Sequence, residues 1–308
     1  MPKLEFTQPM SAPPIPFWER MRCPARILLY RSIPIKCSLK LSCFLRRLEM
    51  WTHPARREKI AGLLKPLMPS DVTTRALREK VILSRAIRQL GGHTYAPVFR
   101  RSRQWLLRTF QPRGLEVLEA IRSEGRGAII LGTHAGMNAW VAPVLTQLGY
   151  PVRFMQRKHV SPEKLLLLRL SGWVNQGLPY PELGEEGIHL KLLCDLIRQG
   201  EWIQHVADYP DDMNGVRGKL LGREVRYCRA PWVLARLTGA PLIPVLVLVG
   251  RQMQPRLDIG PPIFVPARPD SDAAIHSAMQ TYLDFVGSRV KDTPWQFSLS
   301  RRQTTFGA

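Results

Sequence analysis

The sequence predicts an α/β chain with a mostly parallel central sheet and flanking helices, preceded by a helical N-terminal extension. Three observations carry this. From Ala128 onward, short apolar runs bounded by glycine or proline alternate with stretches whose apolar residues recur at helical spacing. The stretch from Ala128 to Gln156 reads as strand, helix, strand, a βαβ unit that joins parallel strands by a right-handed crossover. Finally, 308 residues with 45% apolar content suffice to bury one large core.

Composition bounds the function classes. The balance of 45 Lys and Arg against 24 Asp and Glu gives a net charge of +21, which asks for an anionic partner: nucleic acid, an anionic membrane surface or phosphate-bearing substrates. Cys23, Cys37, Cys43, Cys194 and Cys228 are odd in number and contain no Cys-x-x-Cys pair, so neither a disulfide framework nor a zinc site is implied, and reduced cytoplasmic thiols are the plain reading. No apolar run reaches the roughly 18 residues of a membrane span; Pro241 to Val249 is interrupted by Pro244 and reads as a strand. Met1 to Pro16 is proline-rich and polar and lacks the apolar region of a signal peptide.

Taken in order, residues 1–53 read as a basic amphipathic extension. From Arg20 to Trp51, Ile27, Leu28, Leu29, Ile35, Leu39, Leu41, Phe44, Leu45 and Leu48 interleave with Arg22, Arg26, Arg31, Lys36, Lys40, Arg46 and Arg47. Such a stretch either lies in the headgroup plane of an anionic membrane, each cation adding about 1 kcal/mol, or packs on the domain as an ordinary helical pair. Residues 54–308 then form the α/β domain. Its first part is helical: Arg75 to Leu90 carries Leu77, Val81, Ala86 and Leu90 on one side and is expected to stop at Gly91-Gly92, and a further helix over Gly114 to Ser123 leads into a strand at Ala128 to Leu131. Ala139 to Leu148 read as the next helix, so His134 falls in the strand-to-helix turn where open α/β sheets hold their ligands.

A second strand, Tyr150 to Gln156, ends on Arg157-Lys158-His159, cations placed to clamp a phosphate or simply solvated. Ser161 to Leu170 reads as a leucine-rich helix, and Ile188 to Gln199 as another, closed by Gly200. A strand over Trp202 to Ala207 runs into Asp208-Tyr-Pro-Asp-Asp212; this is either a polar turn or, with His205, a cation site, although no ligand spacing supports a metal. Leu220 to Val225, a helix over Ala230 to Thr238 and a final strong strand over Leu242 to Val249, expected to be central, complete the alternation.

The order of these blocks carries a resemblance. Gly127-Ala-Ile-Ile-Leu-Gly-Thr-His134 looks like a strand leading into a His-x4-Asp/Glu motif, and Arg157 like an arginine that follows the next strand. Asp208 looks like the first acid of a later Asp-x-Asp-like block, and Leu221-Gly222 with Ala230 to Pro244 like a Phe-Gly…Gly-Ala-Pro-Val-Val-Pro block. Pro294-Trp-Gln-Phe297 and Arg301-Arg302 look like a C-terminal Trp with paired basic residues. On these residues the chain, from roughly Pro54 to Arg302, resembles the lysophospholipid acyltransferase superfamily, in particular the bacterial branch that adds secondary acyl chains to lipid A and related glycolipids.

What the resemblance implies is a glycerolphosphate acyltransferase-like fold and acyl transfer from acyl-ACP or acyl-CoA to a hydroxyl or amine of a lipid or glycolipid acceptor. It implies no metal or organic cofactor, and a peripheral place on the cytoplasmic face of the inner membrane. His134 would be the general base, a role worth about 10²–10⁴-fold, kept neutral by the helix expected to begin after it. The backbone amides of Gly136 and Met137 would receive the oxyanion, Arg157 and Lys158 a substrate phosphate, and Leu165 to Leu168 either an acyl groove or the core. Asn138 is counted with the substrate-binding residues. One position departs from the pattern: the fifth residue after His134 is Ala139, not an acid, and an amide at Asn138 cannot stabilise an imidazolium. Asp208 is expected to supply the missing carboxylate, because the strands ending at His134 and Asp208 open toward one edge of the sheet. The alternative is a non-catalytic lipid- or carrier-binding protein that kept the fold. Charge alone suggests nucleic acid, but no binding module or aromatic platform accompanies it, and no nucleic-acid partner is expected.

Overall fold

The structure, a computed structural model, describes residues 28, 32–65, 68, 72–93, 98, 100–156, 177–179, 186–208, 215–266 and 271–297. Among the described residues, these helices precede the sheet: α1 (Ile35–Thr52), α2 (Pro54–Leu64), α3 (Thr74–His93), α4 (Arg103–Phe110) and α5 (Leu115–Ser123). Then come β1 (Ala128–Gly132), α6 (Val141–Gln147), β2 (Val152–Gln156), β3 (Gly177–Pro179), α7 (Glu186–Arg198) and β4 (Trp202–Val206). They are followed by β5 (Val216–Leu220), β6 (Arg223–Tyr227), α8 (Ala230–Thr238), β7 (Leu242–Val249), β8 (Pro255–Ile259) and α9 (Ser271–Val290).

Among the described residues, six strands form one sheet in the order β3-β2-β4-β1-β7-β8, and only β8 runs antiparallel to its neighbour. The two central strands β1 and β7 are apolar on both faces, as a sheet covered by helices on both sides requires, and are buried at every residue. Along β1, Ala128 and Ile130 join one core layer, with Leu118 of α5, Val144 of α6 and Val81 and Ile87 of α3. Ile129 and Leu131 join the other, with Leu193 of α7, Trp232 of α8 and Met279 and Tyr282 of α9. The period of two along the strand thus sorts its side chains between two helical layers.

The N-terminal helix belongs to the first of these layers. Ile35, Leu39, Cys43 and Met50 of α1 are buried in it, and Ser42 and Arg46 hydrogen-bond the Gln89 side chain of α3 at 3.1 and 2.8 Å. The opposite face of α1 carries the exposed Leu41, Phe44, Leu45, Leu48 and Trp51. Among the described residues no helix is long and apolar enough to cross a membrane.

Three sequence expectations need correction. Helix α3 does not stop at Gly91-Gly92 but continues to His93. The glycines occupy only its last turn, where a penalty of about 1 kcal/mol each is outweighed by the buried stripe of Val81, Ala86, Ile87 and Leu90 behind them. The helix expected over Ala139 to Leu148 is present as α6 (Val141–Gln147), but a 3₁₀ turn, Asn138–Trp140, precedes it, so the helix does not begin directly after His134. Gly136, at φ +58°, breaks the helical path before it can start. Finally, β7 is not the last strand: β8 pairs antiparallel along it and α9 covers the second layer, elements the sequence reading left unassigned. The leucine-rich segment from Ser161 to Leu170 lies outside the described residues.

Candidate active site

The register of two adjacent parallel strands creates the site. β1 pairs with β4 through Leu131↔His205 and Gly132↔Val206, and Ala207 N–H continues the ladder to Gly132 C=O at 3.0 Å. The next residues on each side, His134 and Asp208, therefore emerge side by side at the carboxyl edge of the sheet, 74 positions apart in sequence. One Asp208 oxygen accepts from the His134 backbone N–H at 2.8 Å, and the other lies 2.8 Å from His134 Nδ1. Asp208 is 1% exposed, and the His134 side chain 33% exposed.

This carboxylate is held ionised. Burial by itself pushes Asp208 upward, but the electrostatic attraction of His134, its two hydrogen bonds and the Thr133 hydroxyl outweigh burial and hold it below the ordinary carboxylate value. Behind it stand two buried phenols, Tyr227 of β6, 3.5 Å from the Thr133 hydroxyl, and Tyr282 of α9. Burial first, and then the neighbouring Asp208 charge, push Tyr227 well above the usual phenol value, and Tyr282 moves the same way. The surroundings of Asp208 thus offer uncharged hydroxyls on one side and the His134 imidazole on the other. With Nδ1–H donated to Asp208, the lone pair is on Nε2.

The loop that carries His134 is tied down by the unpaired half of β7. Because β1 ends at Gly132, it pairs with β7 only as far as Leu131↔Pro244. Beyond that point the β1 side of β7 has backbone groups to satisfy. Met137 N–H donates to Val247 C=O at 2.7 Å, while the buried Gln296 amide takes Val249, accepting from its N–H and donating to its C=O, both at 2.8 Å. The Gln296 backbone carbonyl in turn accepts from Gly136 N–H at 3.0 Å, and Ala135 bridges to Phe297. Only glycine fits at 136, since a Cβ there would lie 2.2 Å from Val247 O.

These bonds correct the expected oxyanion site. The amides of Gly136 and Met137 both point into the protein and are already donated to backbone carbonyls, so neither is free for a thioester oxygen. Asn138 stands over the end of β1: a Cβ on Gly132 would come within 2.5 Å of its Oδ1, which is buried. Ala139 packs against the first core layer, away from any acid-bearing role. Arg157, Lys158, Leu165 to Leu168, Asp211 and Asp212 lie outside the described residues. Thr133, Tyr227 and Gln296 were not singled out from sequence. The only signal for Gln296 was its place in the Pro-Trp-Gln-Phe block, and Thr133 was visible only as the residue before the histidine.

Among the described residues no three His, Cys, Asp or Glu side chains converge as a metal site. The arrangement offers a partly exposed imidazole oriented by a buried carboxylate, the pairing that general-base catalysis uses. A family model described as bacterial lipid A biosynthesis acyltransferase matches residues 27–303. No curated protein matches the chain.

Proposed function

The chain belongs to the bacterial lipid A biosynthesis acyltransferase family and is a lipid acyltransferase; from that premise we propose that it moves a fatty acyl group from acyl-ACP or acyl-CoA to a hydroxyl or amine of a lipid or glycolipid, with His134 as general base and Asp208 as its carboxylate. The observation that carries the reading is the 2.8 Å contact between His134 Nδ1 and a wholly buried Asp208. Nε2 takes the proton of the acceptor group as its oxygen or nitrogen attacks the thioester carbonyl. The tetrahedral intermediate collapses by breaking the carbon–sulfur bond, and the imidazolium returns the proton to the departing thiolate. Asp208 fixes the tautomer and stabilises the imidazolium without itself taking the proton. Ala139 argued for a binding protein that had lost its acid; a carboxylate arriving from β4 removes that argument.

The lipid acceptor places the reaction at a membrane surface. The outer face of α1 supports that contact: Trp51 is 80% exposed and Leu41, Phe44, Leu45 and Leu48 are each half-exposed on the same side, with Lys40 and Arg47 among them. A helix whose inner face is packed in the core and whose outer face is apolar and basic suits an anionic bilayer surface. A cytoplasmic location on the inner membrane belongs to the same proposal.

The test is direct. The purified chain is incubated with a bacterial lipid extract and either acyl-ACP or acyl-CoA, and lipids and free thiol are followed together. The expected result is a lipid heavier by one acyl chain, with one thiol released per transfer. Binding of the acyl chain with no thiol released from either donor would select the non-catalytic reading.

A further inference from the structure

We infer that Arg217 and Arg226, on the outer face of the β5–β6 hairpin whose inner face packs toward the His134–Asp208 edge of the sheet, form a phosphate-binding site. The hairpin is a separate two-stranded antiparallel sheet with the register Val216↔Tyr227, Arg217↔Arg226, Gly218↔Val225 and Lys219↔Glu224. Side chains alternate across it. Gly218, Leu220, Val225 and Tyr227 face inward, where a Cβ on Gly218 would meet Leu283 and Met279 of α9, and the opposite face presents Arg217, Arg226, Lys219 and Glu224.

The two cross-strand pairs on that outer face differ in kind. Lys219 opposite Glu224 is complementary. Arg217 opposite Arg226 sets like charges about 5 Å apart at Cβ, an arrangement that by itself destabilises a hairpin. Among the described residues no carboxylate lies within ion-pair distance of either guanidinium. The Arg226 stem is nonetheless held in place: it lies across Gly215, where a Cβ would come within 2.5 Å of its Cγ and 2.8 Å of its Cδ. A guanidinium on a fixed stem, facing a second one across the ladder, offers two forks to one tetrahedral anion.

Position gives the pair its meaning. Tyr227, the neighbour of Arg226, reaches to 3.5 Å from Thr133 beside His134, and Cys228 N–H donates to Ala207 C=O at 2.8 Å, next to Asp208. That end of the hairpin is thus stitched to the carboxyl edge of the sheet where the proposed chemistry occurs. The ligand class is a phosphate ester of a substrate, either the phosphopantetheine arm of the donor or the phosphate of a lipid acceptor. The proposal rests on the acyl-transfer reading for this ligand class, not for the existence of the site.

Equilibrium binding to the full chain at low salt tests it without turnover. The probes are 4′-phosphopantetheine against pantetheine, and short-chain phosphatidic acid against the matching diacylglycerol. The native chain is expected to bind at least one phosphorylated probe about tenfold or more tightly than its phosphate-free form, as two charge-assisted contacts allow. Which probe shows the preference identifies donor or lipid as the source. The preference should vanish in the Arg217→Gln, Arg226→Gln double variant and persist in Lys219→Gln. Arg217→Glu separates binding from folding: it makes the cross-strand pair complementary, so its Tm should equal or exceed the native value while the phosphate preference is lost. The site is overturned if the native chain ignores phosphate in both probe pairs, or if the double variant keeps the full preference. Failure of the catalytic reading, as by full activity in His134→Ala, would leave these binding results as they stand.

Discussion

Replacing Gln296 by methionine probes the support of the His134 loop. Methionine matches glutamine in length and fills the same space, 4% exposed, but it offers nothing to the Val249 N–H and C=O that the amide holds at 2.8 Å each. Two buried backbone groups are then left unpaired, each at about 1–3 kcal/mol, so the expected loss is roughly 2–6 kcal/mol. That is a large part of the 5–15 kcal/mol typical of a domain. The same residue accepts from Gly136 N–H, two positions after His134. Loosening the strap therefore also misplaces the imidazole, and displacements near 1 Å lower turnover about 10²-fold. Urea unfolding gives the first quantity and single-turnover acyl transfer under native conditions the second. A stability loss below about 0.5 kcal/mol, the range of an ordinary surface change, together with native turnover would refute the reasoning.

Other substitutions follow from the same contacts. Gly136→Ala places a Cβ against Val247 O at positive φ, and should destabilise by about 2 kcal/mol or more in thermal or urea unfolding; a neutral result would mean that the loop is not held as described. His205, packed beside His189 and held neutral by burial down to about 4, should make stability fall as pH drops from about 6.5, where the unfolded histidine begins to bind its proton, toward 4. His205→Gln should flatten that slope by up to about 1.4 kcal/mol per pH unit, and an unchanged slope would assign the acid sensitivity elsewhere. Exchanging Phe44, Leu48 and Trp51 for serine should abolish flotation with anionic vesicles at unchanged Tm, since these side chains face outward; flotation equal to the native chain would remove α1 from the membrane contact.

The sheet was legible in the sequence wherever a strand is buried on both faces. Ala128 to Leu131 and Leu242 to Val249 are nearly continuous apolar runs, and their ends fall within a residue of the observed ones. Pro255–Ile259 escaped because an edge strand of five residues with Arg256 and Asp258 in it has no such run. The 3₁₀ turn at Asn138 escaped because its cause lies in the tertiary structure: Met137 and Gly136 are committed to β7 and Gln296, which periodicity cannot report. The same commitments overturn the oxyanion assignment, which rested on position next to His134 alone. That Asp208 meets His134 follows from topology, since parallel neighbours β1 and β4 deliver both ends to one edge. The residues behind them were invisible for the opposite reason: Thr133, Tyr227 and Gln296 are ordinary in sequence and acquire their roles only through register.

The central claim is that His134 and Asp208 act as one unit in acyl transfer. Replacing Asp208 by asparagine leaves an amide that cannot accept both the backbone N–H and the Nδ1–H, so the imidazole is driven to the wrong tautomer, a change worth about 10⁴-fold in the serine-protease case. Single-turnover transfer from one acyl thioester is measured for the native chain, His134→Ala, Asp208→Asn and the double variant, each verified as folded by its Tm. The account predicts that both single variants lose most activity and that the double variant is within about threefold of the slower one, as for groups that work together. Losses that multiply, or native activity in Asp208→Asn, would contradict the pairing, and native activity in His134→Ala would contradict the catalytic reading as a whole.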